Sequence, residues 1–185
     1  MSGLQKLEDR MPTPTCTTLR HLAADMQEIG ESICGQQAKN RGASGTDTAP
    51  GVTFELETAT AEMGTAGSAS PISLDAAFVA EAAQNVIGNA ARFAKSRVTA
   101  RLRVDGDTLV LEVDDDGPGF SPAALEKGDA PFFSETPDGE HFGLGLNIAS
   151  LLCNKHGGTL KLANRLDDDG TVAGAHVAAT FRLSS

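Results

Sequence analysis

His141–Gly158, HFGLGLNIASLLCNKHGG, is the stretch that decides the fold of this 185-residue chain. Two glycines one residue apart, Gly143 and Gly145, stand at the mouth of an apolar helical run, Leu144, Leu146, Ile148, Leu151 and Leu152, that stops at Gly157-Gly158. Glycines let backbone N–H groups approach an oxyanion with no side chain in the way, and the open amides of a helix N-terminus add roughly half a positive charge at the same point. The pattern outlines a phosphate cradle; simple loop punctuation at a helix start is the plainer alternative. The flanking sequence has to choose between them.

Immediately upstream, Gly128–Phe142 forms a loop containing the apolar pair Phe132-Phe133. Loops of about fifteen residues are uncommon unless they are lids or disordered, and its position between two candidate ligand-binding stretches favours a lid. Ser121–Lys127 reads as a short capped helix. Before it lies DDDGPGF, Asp114–Phe120, which follows a strand, Thr108–Val113, joined to another, Val98–Val104, through the hairpin dipeptide Asp105-Gly106. An acid at a strand end ahead of Gly-Pro-Gly gives a carboxylate held rigidly beside bare backbone. Asp116 is thereby expected to accept a hydrogen bond from an exocyclic amine such as N6 of adenine, while Gly117 and Gly119 let a flat base lie close. A solvated turn or a cation site is the alternative for DDDG.

Further toward the N-terminus, Ser73 is expected to cap the longest helix, with Asp75 in its first turn and Leu74, Phe78, Val79, Val86, Ile87 and Phe93 on its apolar face. Asn85 and Asn89 fall on one side of it, one turn apart. Their amides are either capped or solvent-facing, or their oxygens complete a Mg²⁺ shell, since a hard ion prefers oxygen ligands. Leu19–Gly35 has helical spacing, Ala38–Gly51 and Gly64–Pro71 read as loops, and Val52, Phe54 and Leu56 alternate as in a half-buried strand. Residues 1–18 combine LQKLEDR, the tail of an upstream helix, with a linker whose Pro12 and Pro14 forbid a continuous helix. Past the glycine helix, Thr159–Asn164 and His176–Leu183 read as strands linked by the solvated turn LDDDG.

The composition bounds the function. A net charge of −10 argues against a general nucleic-acid or anionic-membrane surface. It leaves nucleotide binding open, because charges beyond a Debye length of about 8 Å are screened. Three cysteines without metal-ligand spacing suit a reducing cytoplasm. No run of about 20 apolar residues spans a membrane. The chain reads as soluble, whether by itself or as a soluble piece of a membrane receptor.

The order of these signals is more specific than any one of them: Asn-x-x-x-Asn-Ala on a helix, Asp-x-Gly-x-Gly after a strand, a lid, then Gly-Leu-Gly-Leu opening a helix. In that order the sequence resembles the catalytic, ATP-binding domain of bacterial sensor histidine kinases, within the ATPase superfamily shared with gyrase. NVIGNAARF is similar to the N-box, DDDGPGF to the first glycine box, PFFSE to the phenylalanine box and HFGLGL to the second glycine box. The resemblance covers residues 19–183 and implies the Bergerat fold, a two-layer α/β sandwich in which a mixed sheet of about five strands carries about three helices on one face. Its implied cofactors are ATP and Mg²⁺, and its implied setting is that of a cytoplasmic domain, without direct membrane contact, of a membrane-anchored sensor. By the same resemblance Asn89 is the Mg²⁺ ligand with Asn85 its companion, Arg92 meets the phosphates, and Asn89 and Arg92 are the catalytic pair. Phe93 lies against adenine, Asp116 reads it beside Gly117 and Gly119, and Phe142, Gly143, Leu144, Gly145 and Leu146 turn around the phosphates.

The domain division expected is 1–18, helix tail and linker, and 19–185, the catalytic domain. None of His21, His156 and His176 fits the acceptor pattern of the family. The implied partner is therefore an upstream dimerisation hairpin of the same parent kinase that carries the phosphoacceptor histidine, with a response-regulator receiver domain engaged indirectly. A stand-alone serine kinase of the anti-sigma-factor type is the leading alternative, but it carries a glutamate base where Asn85 stands. A degenerate, non-catalytic docking module is another, because His141 replaces the first glycine of the second box and Gly128–Glu140 holds no Lys or Arg.

Overall fold

The structure is a computed structural model that describes residues 9–43, 51–58, 70–127 and 144–184. Its elements in chain order are β1 (Thr15–Thr18), α1 (Leu19–Ala43), β2 (Thr53–Thr58), β3 (Pro71–Leu74), α2 (Ala76–Phe93), β4 (Arg97–Asp105), β5 (Thr108–Asp115), α3 (Pro122–Lys127), α4 (Leu144–Lys155), β6 (Leu160–Leu166) and β7 (Val172–Arg182). Five strands form one mixed sheet in the order β2-β4-β5-β7-β6, with β2 parallel to β4 and every other pair antiparallel. The fold is the expected two-layer α/β sandwich.

Strand periodicity creates the layers. Along β5 the row Leu109, Leu111, Val113 is buried under the helices, as are Val98, Ala100 and Leu102 of β4 and Val177, Ala179 and Phe181 of β7. The opposite face carries Arg101, Arg103, Glu112 and His176: Arg101 pairs with Glu57 and Asp114, Arg103 with Glu112, and His176 is hydrogen-bonded to Asp114. In α2, Phe78, Val79, Ala82, Ala83, Val86, Ile87, Ala90 and Ala91 are buried. α1 and α4 both pack against α2, and the small residues of this set allow helices to approach closely.

Four expectations need correction. Among the described residues the longest helix is α1, not α2, and it runs on to Ala43, so that Ala38–Ala43 of the expected loop is helical. Ser73 and Leu74 belong to β3; the cap of α2 is Asp75, whose carboxylate accepts from Phe78 N–H. The N-cap is the residue directly before the first helical one, which is Asp75, and Ser73 in extended β3 stands two positions short of it. The expected linker contains β1, which pairs antiparallel with β3 from Thr15↔Leu74 to Thr18↔Pro71. β5 extends to Asp115, so two acids of DDDG lie within the strand. The lid and its Phe132-Phe133, together with His141, Phe142 and Gly143, lie outside the described residues.

Candidate functional site

The three aspartates that end β5 point in three directions. Asp114 turns to the outer face of the sheet, where its carboxylate meets Arg101 Nη1 at 2.8 Å and His176 Nδ1 at 2.7 Å. Asp115 continues the inward row and is 4% exposed. Asp116, just past the strand, folds back on the start of β4, accepting from the N–H groups of Lys95 (2.8 Å), Ser96 (3.0 Å) and Arg97 (3.2 Å) and from Ser96 Oγ (2.6 Å). Burial pushes the Asp116 carboxyl up, but these donors together outweigh it and hold the group at about 2. A carboxylate engaged so fully on its own backbone is a poor candidate for reading a base.

Asp115 has the properties expected of its neighbour. Gly117 N–H (2.8 Å) and Ala175 N–H (3.2 Å) both donate to its Oδ1. Oδ2 takes neither of these bonds. Burial, the largest influence, raises its pKa against those two hydrogen bonds, and the charges of Asp116 and Asp114 add to the rise. Two sequence signals point to Asp115: it continues the Leu109, Leu111, Val113 alternation, and it stands two residues before Gly117, as Asp-x-Gly-x-Gly requires.

The glycines of this loop serve protein packing. A Cβ at Gly117 would lie 2.8 Å from Asp115 Oδ1 and would collide with the Phe93 carbonyl oxygen at the end of α2. Gly119 has φ +78° and its missing Cβ leaves room for Asn164 and Val172. Gly117 therefore brings Asp115 and the Phe93 end of α2 together. Phe93 is 42% exposed there, with the Arg92 guanidinium 5.4 Å from its ring centroid. The loop thus joins the strand end that holds a buried carboxylate to the helix end that carries an exposed aromatic.

One and two turns back along α2 lie Asn89 and Asn85, both half-buried. Asn85 Nδ2 donates to Glu81 O at 2.8 Å. Its Oδ1 is thereby directed across to α4, where a Cβ at Gly145 would lie 3.3 Å away. The helix pair thus presents an amide oxygen near the first turn of α4, where Leu144, Gly145 and Leu146 are all half-buried. Neutral oxygens fit a divalent hard cation that retains water and phosphate ligands. They do not by themselves form a metal cage: no cluster of three or more His, Cys, Asp or Glu residues able to hold a metal occurs among the described residues.

The histidines have structural surroundings. His21 is exposed, 4.0 Å from Asp25, rather than packed in the core. His156 is buried and accepts from Asp75 N–H, edge-on to Phe78 and Phe181. His176 is held by Asp114. No helix of the described residues is long and apolar enough to cross a membrane.

Comparison with known proteins places this geometry. Residues 74–184 match the family described as histidine kinase-, DNA gyrase B-, and HSP90-like ATPase. Sensor protein ChvG of Agrobacterium fabrum is 34% identical over 98 residues, 49% of this chain and 16% of that protein. Sensor histidine kinase GtrS of Pseudomonas aeruginosa is 40% identical over 81 residues, 44% of this chain and 17% of that protein. The chain spans less than a fifth of these relatives. Among solved structures, the catalytic domain of histidine kinase ThkA superposes with a TM-score of 0.68 at 18% identity, covering 92% of this chain and 95% of that one. Full-length ShkA in complex with AMPPNP superposes with a TM-score of 0.66 at 20% identity, covering 95% of this chain and 32% of that one. The sandwich is thus shared in fold with these kinases, and the family match alone takes in more than half of the sequence. The chain belongs to the histidine kinase-, DNA gyrase B-, and HSP90-like ATPases.

Proposed function

We propose that this chain is the ATP-binding catalytic domain of a sensor histidine kinase and presents the γ-phosphate of ATP to a histidine on a separate dimerisation hairpin of the parent protein. The observation that carries the reading is the buried Asp115 carboxylate, bonded through Oδ1 to two backbone amides, with Gly117 of the following loop fitted against the backbone carbonyl of Phe93 at the end of α2. In this reading Asp115, rather than Asp116, accepts the adenine amine, and the base lies against Phe93. Arg92 meets the phosphates, and the N-terminal amides of α4 face them.

Asn89 and Asn85 would hold Mg²⁺ through their amide oxygens. When bound, the ion supplies positive charge shared between phosphate groups. The rest of the site positions: transfer forms a bond from an imidazole nitrogen to the γ-phosphorus as its bond to the bridging oxygen breaks, and the imidazole proton passes to solvent. Catalysis by placement and charge needs no carboxylate base on α2. That favours histidine over serine as acceptor, because residue 85 is an amide whose Nδ2 is engaged by Glu81 O, and Glu81 itself pairs with Arg10 at 3.7 Å. A response-regulator receiver domain would take the phosphoryl group from that histidine, and the assembled kinase would work on the cytoplasmic face of a membrane.

Calorimetric titration with ADP and with AMPPNP, with and without Mg²⁺, tests the reading. Binding that responds to Mg²⁺ and is weakened about tenfold or more in Asp115→Asn is expected. Absence of binding at millimolar nucleotide would overturn it in favour of a docking module.

A further inference from the structure

The loop that follows Asp115 is held at its far end by one side chain that neither glycine box contains. Asn164 lies near the end of β6, continuing the row of Leu160 and Leu162 that packs on the core. Its Oδ1 accepts from Phe120 N–H at 2.6 Å, and its Nδ2 donates to Phe120 C=O at 2.8 Å. The carboxamide thus acts as a peptide group, supplying the donor and acceptor that a neighbouring strand would offer.

The near end of the loop is fastened by the same hairpin. Arg165 Nη1 donates to Asp115 C=O at 3.3 Å, and Ala175 N–H of β7 donates to Asp115 Oδ1 at 3.2 Å. Between the two ends, Gly119 at φ +78° passes so near Asn164 Oδ1 that a Cβ would stand 2.8 Å from it. Gly117, in turn, abuts the carbonyl of Phe93. The path from the base-reading carboxylate to the aromatic is therefore set from the β6–β7 side.

We propose that Asn164 is a positioning residue for nucleotide binding: by clamping both backbone groups of Phe120 it fixes Gly117–Phe120 as the floor of the adenine end of the site. The proposal rests on the nucleotide-site reading above. It assigns the effect of Asn164 to the nucleoside end alone, because its contacts lie on this loop and not on α4 or on the asparagine pair.

Asn164→Ala removes both bonds. Asn164→Asp keeps an acceptor for Phe120 N–H and removes the donor to its carbonyl. Binding of adenosine, ADP and AMPPNP is measured by calorimetry well below the melting transition, with hydrogen exchange followed at Phe120. For Asn164→Ala, affinity for adenosine and for ADP should fall by the same factor, about tenfold or more, with Phe120 exchange accelerated. The factor by which Mg²⁺ strengthens AMPPNP binding should be unchanged. Asn164→Asp should fall between Asn164→Ala and wild type, and it carries the comparison if Asn164→Ala does not fold. A general loss of stability would leave affinity below the transition untouched. Affinities within about twofold of wild type, alongside accelerated Phe120 exchange, overturn the clamp while wild-type binding upholds the site. Failure of the wild type to bind nucleotide overturns the site and the proposal together.

Discussion

Asp115 and Asp116 share a peptide bond, yet their carboxylates lie in opposite surroundings. The pair makes a sharp test at the scale of single residues. Asp115→Asn should raise the nucleotide Kd by about tenfold or more while the protein melts at nearly the wild-type temperature, because only the charged acceptor is lost. Asp116→Asn should do the reverse, retaining affinity but costing about 1–3 kcal/mol in urea denaturation through weakened bonds to the start of β4. Their pH dependences are opposed as well. Burial raises the Asp115 pKa, so the folded state holds its proton more tightly than the unfolded chain, and its contribution falls as pH rises through the carboxylate range. Asp116, held at about 2 against an ordinary 3.8, contributes stability above the ordinary value that is lost as pH falls toward 2. The stability difference between wild type and Asp116→Asn should therefore shrink on acidification through that window.

His156 adds a second acid-sensitive contribution. Burial lowers its pKa below 6.5 despite the nearby Asp75 charge. The unfolded chain takes up the proton first, so stability present above pH 6.5 declines as pH falls below it. Chemical denaturation should show a decline of at most about 1.4 kcal/mol per pH unit from this group, absent in His156→Gln.

At the scale of elements, α2 organises the site, and Asp75 fixes where α2 begins. Its Oδ1 caps Phe78 N–H, its Oδ2 accepts from Thr13 N–H at 2.8 Å, and its own N–H goes to His156 past the end of α4. Asp75→Ala should cost about 2 kcal/mol, the upper range for a helix cap, because a second backbone donor loses its partner at the same time. Thermal melts would reveal it. A cost below about 0.5 kcal/mol would mean that the cap does not set the start of the helix. The β6–β7 hairpin is the other organising element, since Asn164, Arg165 and Ala175 together hold the segment from Asp115 to Phe120. α2 presents the amides and Phe93; the hairpin holds the loop that faces them.

At the scale of the whole molecule, the described residues before α1, 9–18, are part of the packed structure. Arg10 stacks 4.6 Å from the Phe78 ring centroid, its carbonyl accepts from Lys155 Nζ at 2.8 Å, and β1 pairs with β3. A chain beginning at Leu19 forfeits all of these contacts. It should be less stable than the full chain by about 2–4 kcal/mol, at roughly 1 kcal/mol per backbone bond lost, which equilibrium denaturation of the two would measure. Equal stability would restore a domain boundary at residue 19. The sequence by itself determined the order of the elements apart from β1 and β3, the helix bearing Asn85 and Asn89, the hairpin at Gly106 and the membership of a nucleotide-binding family, because apolar periodicity, turn chemistry and motif order are local properties of a chain. Tertiary structure alone decided which donors each loop side chain met. Asp116 is drawn to the amides at the start of β4, Asn164 reaches Phe120 from 44 positions away, and Thr15–Thr18 becomes a strand only because Pro71–Leu74 lies alongside. Hydrogen-bond partners far apart in sequence leave no periodic trace, and a backbone that can pair does so where the fold brings a free edge to it.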